Sequence, residues 1–417
     1  MKKQSDTSKP TILITATLDT KEEEAVFLRR LIESCGCQTL LMNTGILSPP
    51  TDNGADISRE EVASAGGISI EQLLASQDKG KCIRTMMTGA AKVAADLYSQ
   101  GKFQGIIGIG GAQGTDIGTA AMRALPFGIP KFMVATVASG LATFGPFVGT
   151  KDIIMMHSVA DIQGLNFLTI QVLENAAHAI CGMVKNFKGN QDKLSSKKAV
   201  ALSMLGTTTP GALRAKSILE KHGFESVAFH QNGTGGIAME EMISEGYFKG
   251  VLDLNMHELA DYLVGGLHRS IRDFRLESAS KMGIPQVIAP GSVNYSVQGP
   301  LDTLSERLKN QKYIVHNPNL TLVRLTQEEL IKVAQTAARK LNMATGPIHL
   351  FIPLQGFSYP DREGLPHWEP ESNQVFIDTL RARLNPSIPF ETVDAHINDE
   401  LFIDKVMEKF LSFMDNR

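Results

Sequence analysis

The sequence predicts an α/β protein made of two copies of one unit, each with a mostly parallel sheet flanked by helices. Short apolar runs alternate with stretches of helical periodicity, which is typical of strand–helix–strand units. The 417 residues exceed the size at which a single core stops growing. The second half of the chain repeats the order of the first. We therefore expect two domains, residues 1–190 and 199–417, joined by a polar, lysine-rich stretch.

Five apolar runs in the first half predict strands, and a polar loop follows most of them. Helical patterns lie between the strands; Val26, Leu28, Leu31 and Ile32, for example, share one helical face. The carboxyl ends of parallel strands meet at one edge of a sheet, so we expect the polar loops to lie together. Strands are predicted over 11–17, 38–42, 105–110, 131–136 and 152–157, and helices over 22–34, 70–75, 82–99, 117–125 and 167–185.

The most informative stretch is 105–116, where an apolar strand passes into a glycine-rich turn and then an Ala-rich helix. Glycines leave the backbone N–H groups of such a turn bare, and the N-terminal end of a helix attracts negative charge. The stretch therefore predicts a phosphate or carboxylate site. The alternative is a tight connection that needs glycine only for packing. The sequence has no P-loop motif, and the glycine spacing fits the dinucleotide fingerprint only loosely.

The second half repeats the first closely enough to predict an internal duplication. Residues 12–45 and 200–233 align without a gap as strand, Thr-rich loop, helix, strand and Asn-containing turn. Further along, 103–107 matches 248–252, and 128–131 matches 283–286. Where the first half has its glycine loop, the second has Asn-Met-His-Glu at 255–258. We therefore expect the second domain to keep the scaffold and to lack the anion site.

Composition argues against several functional classes. A net charge of −3 with scattered basic residues argues against binding to nucleic acid, which calls for a basic face. The apolar run 11–18 is too short for a signal peptide or a membrane span. Four cysteines, at 35, 37, 82 and 181, show no paired metal-ligand spacing and predict reduced thiols in a cytoplasmic protein.

Several motifs together resemble one known family. Residues 14–21, 108–119, 230–236, 290–295 and 394–399 are similar to an uncharacterised bacterial and fungal family whose plant relative is the ATP-binding domain of a tobamovirus-resistance protein. The motifs occur in the same order and span nearly the whole chain. The resemblance implies two Rossmann-like domains, ATP binding by the amino-terminal one, and homodimers. It implies no particular reaction, because the family has no agreed catalytic activity.

We expect the first domain to bind ATP at its strand ends. Backbone N–H groups of Gly110, Gly111 and Gly114 would contact phosphate, Thr115 would add a hydroxyl, and Lys21 would neutralise charge. The alternative for Lys21 is a solvated helix start. The full set of predicted cofactor-binding residues is Thr17, Asp19, Thr20, Lys21, Gly110, Gly111, Gln113, Gly114, Thr115, Thr136 and Ser139.

Two carboxylates of this domain are candidates to hold Mg²⁺ through water, because Mg²⁺ in proteins prefers few carboxylates together with substrate oxygens. They are Asp19 and Asp116. For Asp116, capping of the following helix is the alternative role.

Polar residues at the corresponding strand ends of the second domain predict a second small ligand, such as a carboxylate or a sugar acid. The alternative is that these residues only cap helices and turns. The predicted substrate-binding residues are Thr207, Thr208, Thr209, Asn232, Thr234, Ser292 and Asn294.

Three residues are candidates for acid–base catalysis: His257, Glu258 and His396. Neighbours on a helix do not face each other, so we expect at most one of His257 and Glu258 to face a ligand. His396 lies among Asp394, Asn398 and Asp399, and a structural hydrogen-bond cluster there is as consistent with the sequence as catalysis. A metal cluster of His, Asp and Glu residues is a further alternative, because His230, His257 and His396 all lie at predicted strand ends, although His-x-x-x-His spacing is absent.

These expectations combine into a cytoplasmic ATP-binding protein with a cleft between its halves, an enzyme of small-molecule metabolism that acts on a sugar acid or oxo-acid by an unassigned reaction. One alternative is a nucleotide-independent hydrolase or lyase that uses His257 or His396. The other is a non-enzymatic module in which ATP stabilises the shape that binds a partner.

Overall fold

The computed structural model describes residues 9–47, 54–139, 145–187, 198–270 and 275–415. The chain divides into two compact units, residues 1–192 and 193–417, called here the N-terminal and C-terminal domains. Each contains a parallel sheet with helices on both faces, so the predicted α/β fold with two Rossmann-like domains is confirmed. Except for Lys198, the stretch predicted to join the domains lies outside the described residues.

The N-terminal domain has a five-stranded, fully parallel sheet with the order β2-β1-β3-β4-β5. Alternate residues of its strands face opposite layers. Ile106 and Met133 pack with one set of helices, whereas Ile107 and Val134 pack with the other. The elements are β1 (Thr11–Ala16), α1 (Leu18–Ser34), β2 (Gln38–Asn43), α2 (Arg59–Ala65), α3 (Ile70–Ala75), α4 (Lys79–Ser99), β3 (Gly105–Gly110), α5 (Ala112–Arg123), β4 (Lys131–Ala135), α6 (Gly145–Val148), β5 (Ile154–His157) and α7 (Phe167–Lys185).

The C-terminal domain has a six-stranded parallel sheet with the order β14-β13-β9-β8-β6-β7. Its strands are β6 (Ala199–Met204), β7 (Glu225–His230), β8 (Gly250–Asn255), β9 (Gln286–Gly291), β10 (Tyr295–Gln298), β11 (Tyr313–Asn317), β12 (Leu320–Arg324), β13 (Ile348–Pro353) and β14 (Phe390–Val393). Its helices are α8 (Thr209–Lys221), α9 (Thr234–Ser244), α10 (His257–Val264), α11 (Ser278–Met282), α12 (Glu306–Lys309), α13 (Gln327–Leu341), α14 (Pro370–Arg383) and α15 (Glu400–Asp415), with 3₁₀ turns at Gly206–Thr208 and Leu301–Thr303.

The predicted duplication is visible in the strand order. In both domains the second strand lies outside the first, and the third lies on the other side of the first. This order places a topological switch point between β1 and β3 in one domain and between β6 and β8 in the other, which is where open parallel sheets bind ligands. The C-terminal domain adds the sixth strand, β14.

A small antiparallel sheet in the C-terminal domain was not predicted. It has the order β10-β12-β11 and follows the fourth strand of the parallel sheet. Because the segment interrupts the repeat with its own strand pairing, comparison with the first half gave no sign of it.

Helices at two strand ends begin earlier than the sequence predicted. The loop expected at 19–21 is the first turn of α1, although Lys21 has non-helical dihedral angles there (φ −133°, ψ 25°). The glycine turn is likewise shorter than expected, because β3 runs through Gly110 and α5 begins at Ala112. Gly111 alone joins the strand to the helix, so the first amides of α5 lie directly beyond the strand.

Helix α7 is long and apolar enough to span a membrane by length and composition alone. In the N-terminal domain its apolar face packs on the parallel sheet, where Leu173, Ala177 and Ile180 join the cluster that contains Ile12. This packing is that of a core helix, and it accounts for the apolar sequence.

Candidate functional site

A cavity of about 1140 Å³ opens at the switch point of the N-terminal domain, beyond the ends of β1 and β3. We call it the first cavity. Its walls are the starts of α1 and α5 and the loop that precedes α7. It is lined by Thr17, Leu18, Asp19, Thr20, Lys21, Glu22, Glu23, Glu24, Val26, Phe27, Arg30, Leu47, Lys79, Gly111, Ala112, Gln113, Gly114, Asp161, Gln163, Gly164 and Leu165.

Two helices present their N-terminal ends to the first cavity. Helix α1 follows Thr17 and helix α5 follows Gly111, and within the described residues neither position provides a side-chain cap. The first amide of α1, that of Leu18, donates instead to Oδ1 of Asn43 at 3.3 Å. The first amides of a helix have no acceptor within it. The amides of Ala112, Gln113 and Gly114 therefore form a partially positive surface at this end of the cavity.

Lys21 is the cationic side chain held deepest in the first cavity wall. It is only 7% exposed, and its irregular backbone at the start of α1 sets it against the cavity. Within the described residues no carboxylate lies within 4.0 Å of its ammonium group. Burying an unpaired charge is costly, so an anion in the cavity would stabilise this arrangement.

The structure brings seven of the predicted cofactor-binding residues together in the first cavity. They are Thr17, Asp19, Thr20, Lys21, Gly111, Gln113 and Gly114. The remaining four, Gly110, Thr115, Thr136 and Ser139, are not part of its lining.

Two of these four have a structural role instead. Gly110 is the last residue of β3, and a Cβ atom there would lie 2.6 Å from the Cα atom of Gly114, so glycine is needed for packing. Thr115 is fully buried, and its hydroxyl donates to the carbonyl of Gly111 at 2.8 Å. The Thr115 hydroxyl, which was predicted to contact phosphate, therefore bonds to the protein backbone instead.

The two predicted Mg²⁺ ligands lie in different surroundings. Asp19 lines the first cavity, and its Oδ2 accepts the amides of Ile46 and Leu47 at 2.7 Å each. Asp116 is half-buried outside the cavity lining, and burial raises the pKa of its carboxyl group, with Arg123 acting in the opposite direction. Of the two, only Asp19 lines the first cavity.

Sequence reasoning missed the wall formed by residues 161–165. Gly164 donates its amide to Oε1 of the buried Glu24 at 2.6 Å, which fixes this loop against α1. The loop lies directly before α7, so applying the strand-end rule to β5 would have pointed to it. Arg30 and Lys79 were missed as well, because they lie on helices whose orientation the sequence does not give.

A second cavity, of about 700 Å³, lies at the switch point of the C-terminal domain. The antiparallel sheet supplies much of its apolar wall. It is lined by Leu205, Gly206, Thr207, His230, Asn232, His268, Tyr295, Val297, Ile314, His316, Leu320, Leu322, Tyr359, Pro360, Leu365 and Pro366.

Beside the second cavity, His257, Asp261 and His268 form a compact cluster. Nε2 of His257 lies 3.0 Å from Nδ1 of His268 and 3.5 Å from Oδ2 of Asp261. His257 and Asp261 are fully buried, whereas His268 lines the cavity. Burial alone would lower the pKa of His257, but the Asp261 carboxylate, the Ser292 carbonyl and Glu258 together outweigh it and the pKa is raised. Burial and the neighbouring His257 lower the pKa of His268 to about 4.

Three hydroxyl groups connect this cluster to the strand ends. Thr207 Oγ1 lies 2.7 Å from Ser292 Oγ and 2.8 Å from the hydroxyl of Tyr295, whose ring packs on His257 with 4.9 Å between centroids. Ser292 has φ of 53°, an uncommon conformation for a non-glycine residue, which is often found at functional sites. Burial raises the pKa of Tyr295 to about 12.

Glu258 faces away from His257, as expected for neighbours on a helix. Its Oε1 accepts the amides of Gly233 and Gly236 at 2.5 and 3.0 Å, and its Oε2 lies 3.3 Å from Arg275. Arg275 is 2% exposed and also binds Asp253 at 2.5 Å and Glu240 at 3.2 Å. Glu258 therefore belongs to a buried ionic network that stabilises the strand ends, and the catalytic role predicted for it has no support here.

His396 has the structural role that the sequence left open. Its Nδ1 accepts the amide of Asn398 at 3.2 Å, so the other nitrogen carries the proton and donates to the carbonyl of Ser358 at 2.9 Å. Burial lowers the pKa of this ring. Both nitrogens of His396 are used within the protein, which leaves neither for acid–base catalysis.

Of the residues predicted to bind a substrate, Thr207 and Asn232 line the second cavity. Ser292 borders it through its bond to Thr207. Three others make local contacts: Thr208 and Thr209 bond to Leu205, and Thr234 donates to Asn232. Asn294 is fully buried, and within the described residues neither atom of its amide group has a hydrogen-bond partner.

Models of two family domains match the chain. The N-terminal domain of the uncharacterised protein family UPF0261 matches residues 10–189, and the C-terminal domain matches 197–414. A UPF0261 protein of Clostridium tetani is 41% identical over 406 residues, which are 97% of this chain and 99% of that protein. A UPF0261 protein of Rhizobium meliloti is 35% identical over 401 residues, 96% of this chain and 98% of that protein.

A plant protein and two solved structures are similar to a lesser degree. The ToMV resistance protein Tm-1 of Solanum lycopersicum is 30% identical over 98% of this chain, which spans 56% of that protein. UDP-N-acetylglucosamine 2-epimerase of Rickettsia bellii (10% identity; 98% of this chain, 96% of that chain) and MurG of Acinetobacter baumannii (12%; 97% and 100%) each superpose with a TM-score of 0.24. Scores this low carry no inference.

Proposed function

The chain belongs to the uncharacterised protein family UPF0261, and we propose that its N-terminal domain binds ATP in the first cavity. The triphosphate lies against the starts of α1 and α5, and Lys21 neutralises part of its charge. The observation that carries the proposal is that the uncapped start of α5 meets a buried lysine at one cavity, and that this lysine has no carboxylate partner within the described residues.

The amides at the start of α5 and the buried Lys21 favour a phosphate chain over a neutral ligand, and the five carboxylates that also line the first cavity favour a phosphate that carries Mg²⁺. The first amides of α5 attract negative charge, and a phosphate would accept hydrogen bonds from them that the helix cannot make internally. Arg30 and Lys79 add cationic side chains to the same wall. A polyphosphate spans more than one of these positive groups at once, whereas a carboxylate would engage a single helix start.

The rest of the cavity suits a nucleoside. Its volume of about 1140 Å³ is ample for a small-molecule ligand. Val26, Phe27 and Leu165 supply apolar surface for a base, and Glu23 and Asp161 supply acceptors for hydroxyl groups. Mg²⁺ would enter with the phosphates and keep several waters, so the protein need provide few ligands of its own.

We further propose an enzyme of small-molecule metabolism, in which the second cavity receives a smaller oxygen-bearing substrate such as an oxo-acid or sugar acid. The combination of Thr207, His268 and Tyr295 in that cavity supports this assignment. The competing function, a nucleotide-independent hydrolase or lyase that uses His257, is favoured by the position of that ring between His268 and Tyr295. A catalyst of either kind should gain thermal stability from its second-cavity substrate, whereas a non-enzymatic module should respond to ATP alone.

Calorimetric titration with Mg·ATP of wild type and Gly111→Asp tests the assignment. A Cβ atom at Gly111 would meet only Thr136 Oγ1, at 3.8 Å, and its φ of −74° suits any residue, so the variant should fold. Its carboxylate would occupy the free amides and repel phosphate, and we expect a loss of affinity of at least about 100-fold.

Gly182→Asp is the matched control, because it adds the same charge on α7 where a Cβ atom meets nothing within 4 Å. This variant should bind Mg·ATP like wild type. Equal binding by wild type and Gly111→Asp, or no binding by wild type, would overturn the proposal.

A further inference from the structure

We propose that His257, Asp261 and His268 bind a divalent transition-metal ion at the wall of the second cavity. The three offer two imidazole nitrogens and one carboxylate oxygen, all within 4.8 Å of one another. Two histidines and one carboxylate form a common protein ligand set for Zn²⁺ and for Fe²⁺, with positions left for water or substrate. This site is independent of the ATP site proposed for the N-terminal domain.

The distances suit coordination. When two ligand atoms each lie about 2.1 Å from one ion, they are about 3.0 Å apart if the angle at the ion is 90°. They are about 3.4 Å apart if that angle is tetrahedral. The two imidazole nitrogens are 3.0 Å apart, and the carboxylate oxygen is 3.5 Å from Nε2 of His257. The imidazole planes cross at 83°, so the two rings meet edge to face and do not stack.

Each fully buried ligand is held by further hydrogen bonds. Nδ1 of His257 lies 3.2 Å from the carbonyl of Ser292, so it carries the proton and leaves Nε2 free to bind metal. Asp261 accepts the amide of Val297 through Oδ1 at 3.0 Å and the amide of His268 through Oδ2 at 2.9 Å. Such contacts orient the ligands of protein metal sites. The unusual φ of Ser292 directs the carbonyl that fixes His257.

A proton must leave the contact between the two rings before a metal ion can bind. Nε2 of His257 lies 3.0 Å from Nδ1 of His268 and 3.5 Å from Oδ2 of Asp261, so a proton shared among these atoms occupies the place of the ion. Metal binding releases this proton to solvent or moves it to the other nitrogen of His268, and each histidine then binds the ion through one nitrogen.

The second cavity gives a bound ion access to a ligand. His268 lines this cavity, while Tyr295 and the Ser292 carbonyl cover the opposite side of His257. A small molecule with a carboxylate or carbonyl oxygen could coordinate the ion from the cavity. Its carbon skeleton would contact apolar residues such as Val297 and Leu322.

Titration of the metal-free full-length chain with Co²⁺, followed by visible absorption, tests the site. We expect one Co²⁺ per chain with nitrogen and oxygen ligation, and displacement by Zn²⁺. His268→Gln removes one ligand at a partly exposed position, and we expect its affinity to fall by at least about 100-fold. His316→Gln is the matched control, because it removes a histidine from the same cavity outside the cluster. This variant should bind like wild type.

Absence of saturable binding by wild type, or equal binding by wild type and His268→Gln, would overturn the site and leave a histidine pair that serves packing. Should His268→Gln fail to fold, X-ray absorption of the Zn²⁺-loaded wild type decides the question. Two imidazoles and an oxygen ligand support the site, whereas sulfur ligation would contradict it, because all four cysteines lie in the N-terminal domain.

Discussion

The two domains place a cavity at the same point of the same scaffold and line it with different chemistry. In the N-terminal domain, α5 begins after Gly111 without a side-chain cap in the described residues. At the equivalent strand end of the C-terminal domain, Asn255 Oδ1 accepts the amide of His257 at 3.0 Å, at the first residue of α10. One helix start is therefore open to an anion, whereas the other already has a protein acceptor.

The two proposed sites together imply that a duplicated backbone does not fix the ligand. Strand order and switch point are common to both domains, but the side chains at the helix starts decide what can bind there. In the function proposed here, a glycine-bounded helix start and a buried lysine bind phosphate in the first cavity. Histidines, a buried carboxylate and a tyrosine favour a metal ion and a small oxygen ligand at the second.

The largest expected effect tests whether the C-terminal strand ends depend on their buried ions. Arg275→Met leaves Glu240, Asp253 and Glu258 buried without their cation, and we expect unfolding free energy to fall by about 3–5 kcal/mol. Urea denaturation followed by fluorescence of Trp368, the only tryptophan of the chain, measures this domain. Arg269→Met is the control, since Arg269 is exposed and bonds to backbone carbonyls. A loss no larger than in the control would refute the network's role.

The next effect is acid sensitivity of the C-terminal domain. Burial, together with Arg324, lowers the pKa of His367 to about 4. In the unfolded chain the pKa of His367 is near 6.5, so unfolding takes up a proton below that pH. The free energy of unfolding therefore falls by up to about 3 kcal/mol as the pH decreases from about 6.5 to about 4. Urea midpoints of Trp368 fluorescence at pH 7.5, 6 and 5 should decline, and His367→Phe should decline less. Parallel declines in both proteins would exclude His367 as the cause.

The smallest expected effect exchanges one residue between the two domains. Residue 21 is lysine in the N-terminal domain, and its counterpart in the C-terminal domain is Thr209. Lys21→Thr removes the cation and should weaken Mg·ATP binding by about tenfold, measured by calorimetry. Lys102→Thr makes the same change at an exposed residue before the start of β3, at the opposite end of the sheet. Equal affinities of the two variants would show that Lys21 does not contact the phosphates.

Local patterns in the sequence predicted the strands, the duplication and the residues directly after each strand. Apolar runs and polar loops are short-range features, so Lys21, Gly111 and Thr207 were found. His268 was not, because it reaches His257 only after the chain reverses at Gly265, which has φ of 83°. The Gly265–Gly266 pair directly after the helix was the available sign of that reversal.

Burial was the other feature that the sequence did not provide. Lys21 was as consistent with a solvated helix start as with a ligand contact until its 7% exposure was known. Likewise, Glu258 and His396 are polar residues near strand ends, and only their partners in the fold show that both are structural. Patterns along the chain therefore located the edge of each sheet, and tertiary contacts distinguished ligand-facing side chains from supporting ones.

Hydrogen–deuterium exchange of the full-length chain with and without Mg·ATP tests most directly whether the two switch points differ in ligand. We expect ATP to protect the amides of 18–21 and 111–114 in the N-terminal domain and to leave those of 206–209 and 257–260 unchanged. Protection confined to the C-terminal segments, or equal at both switch points, would contradict the account.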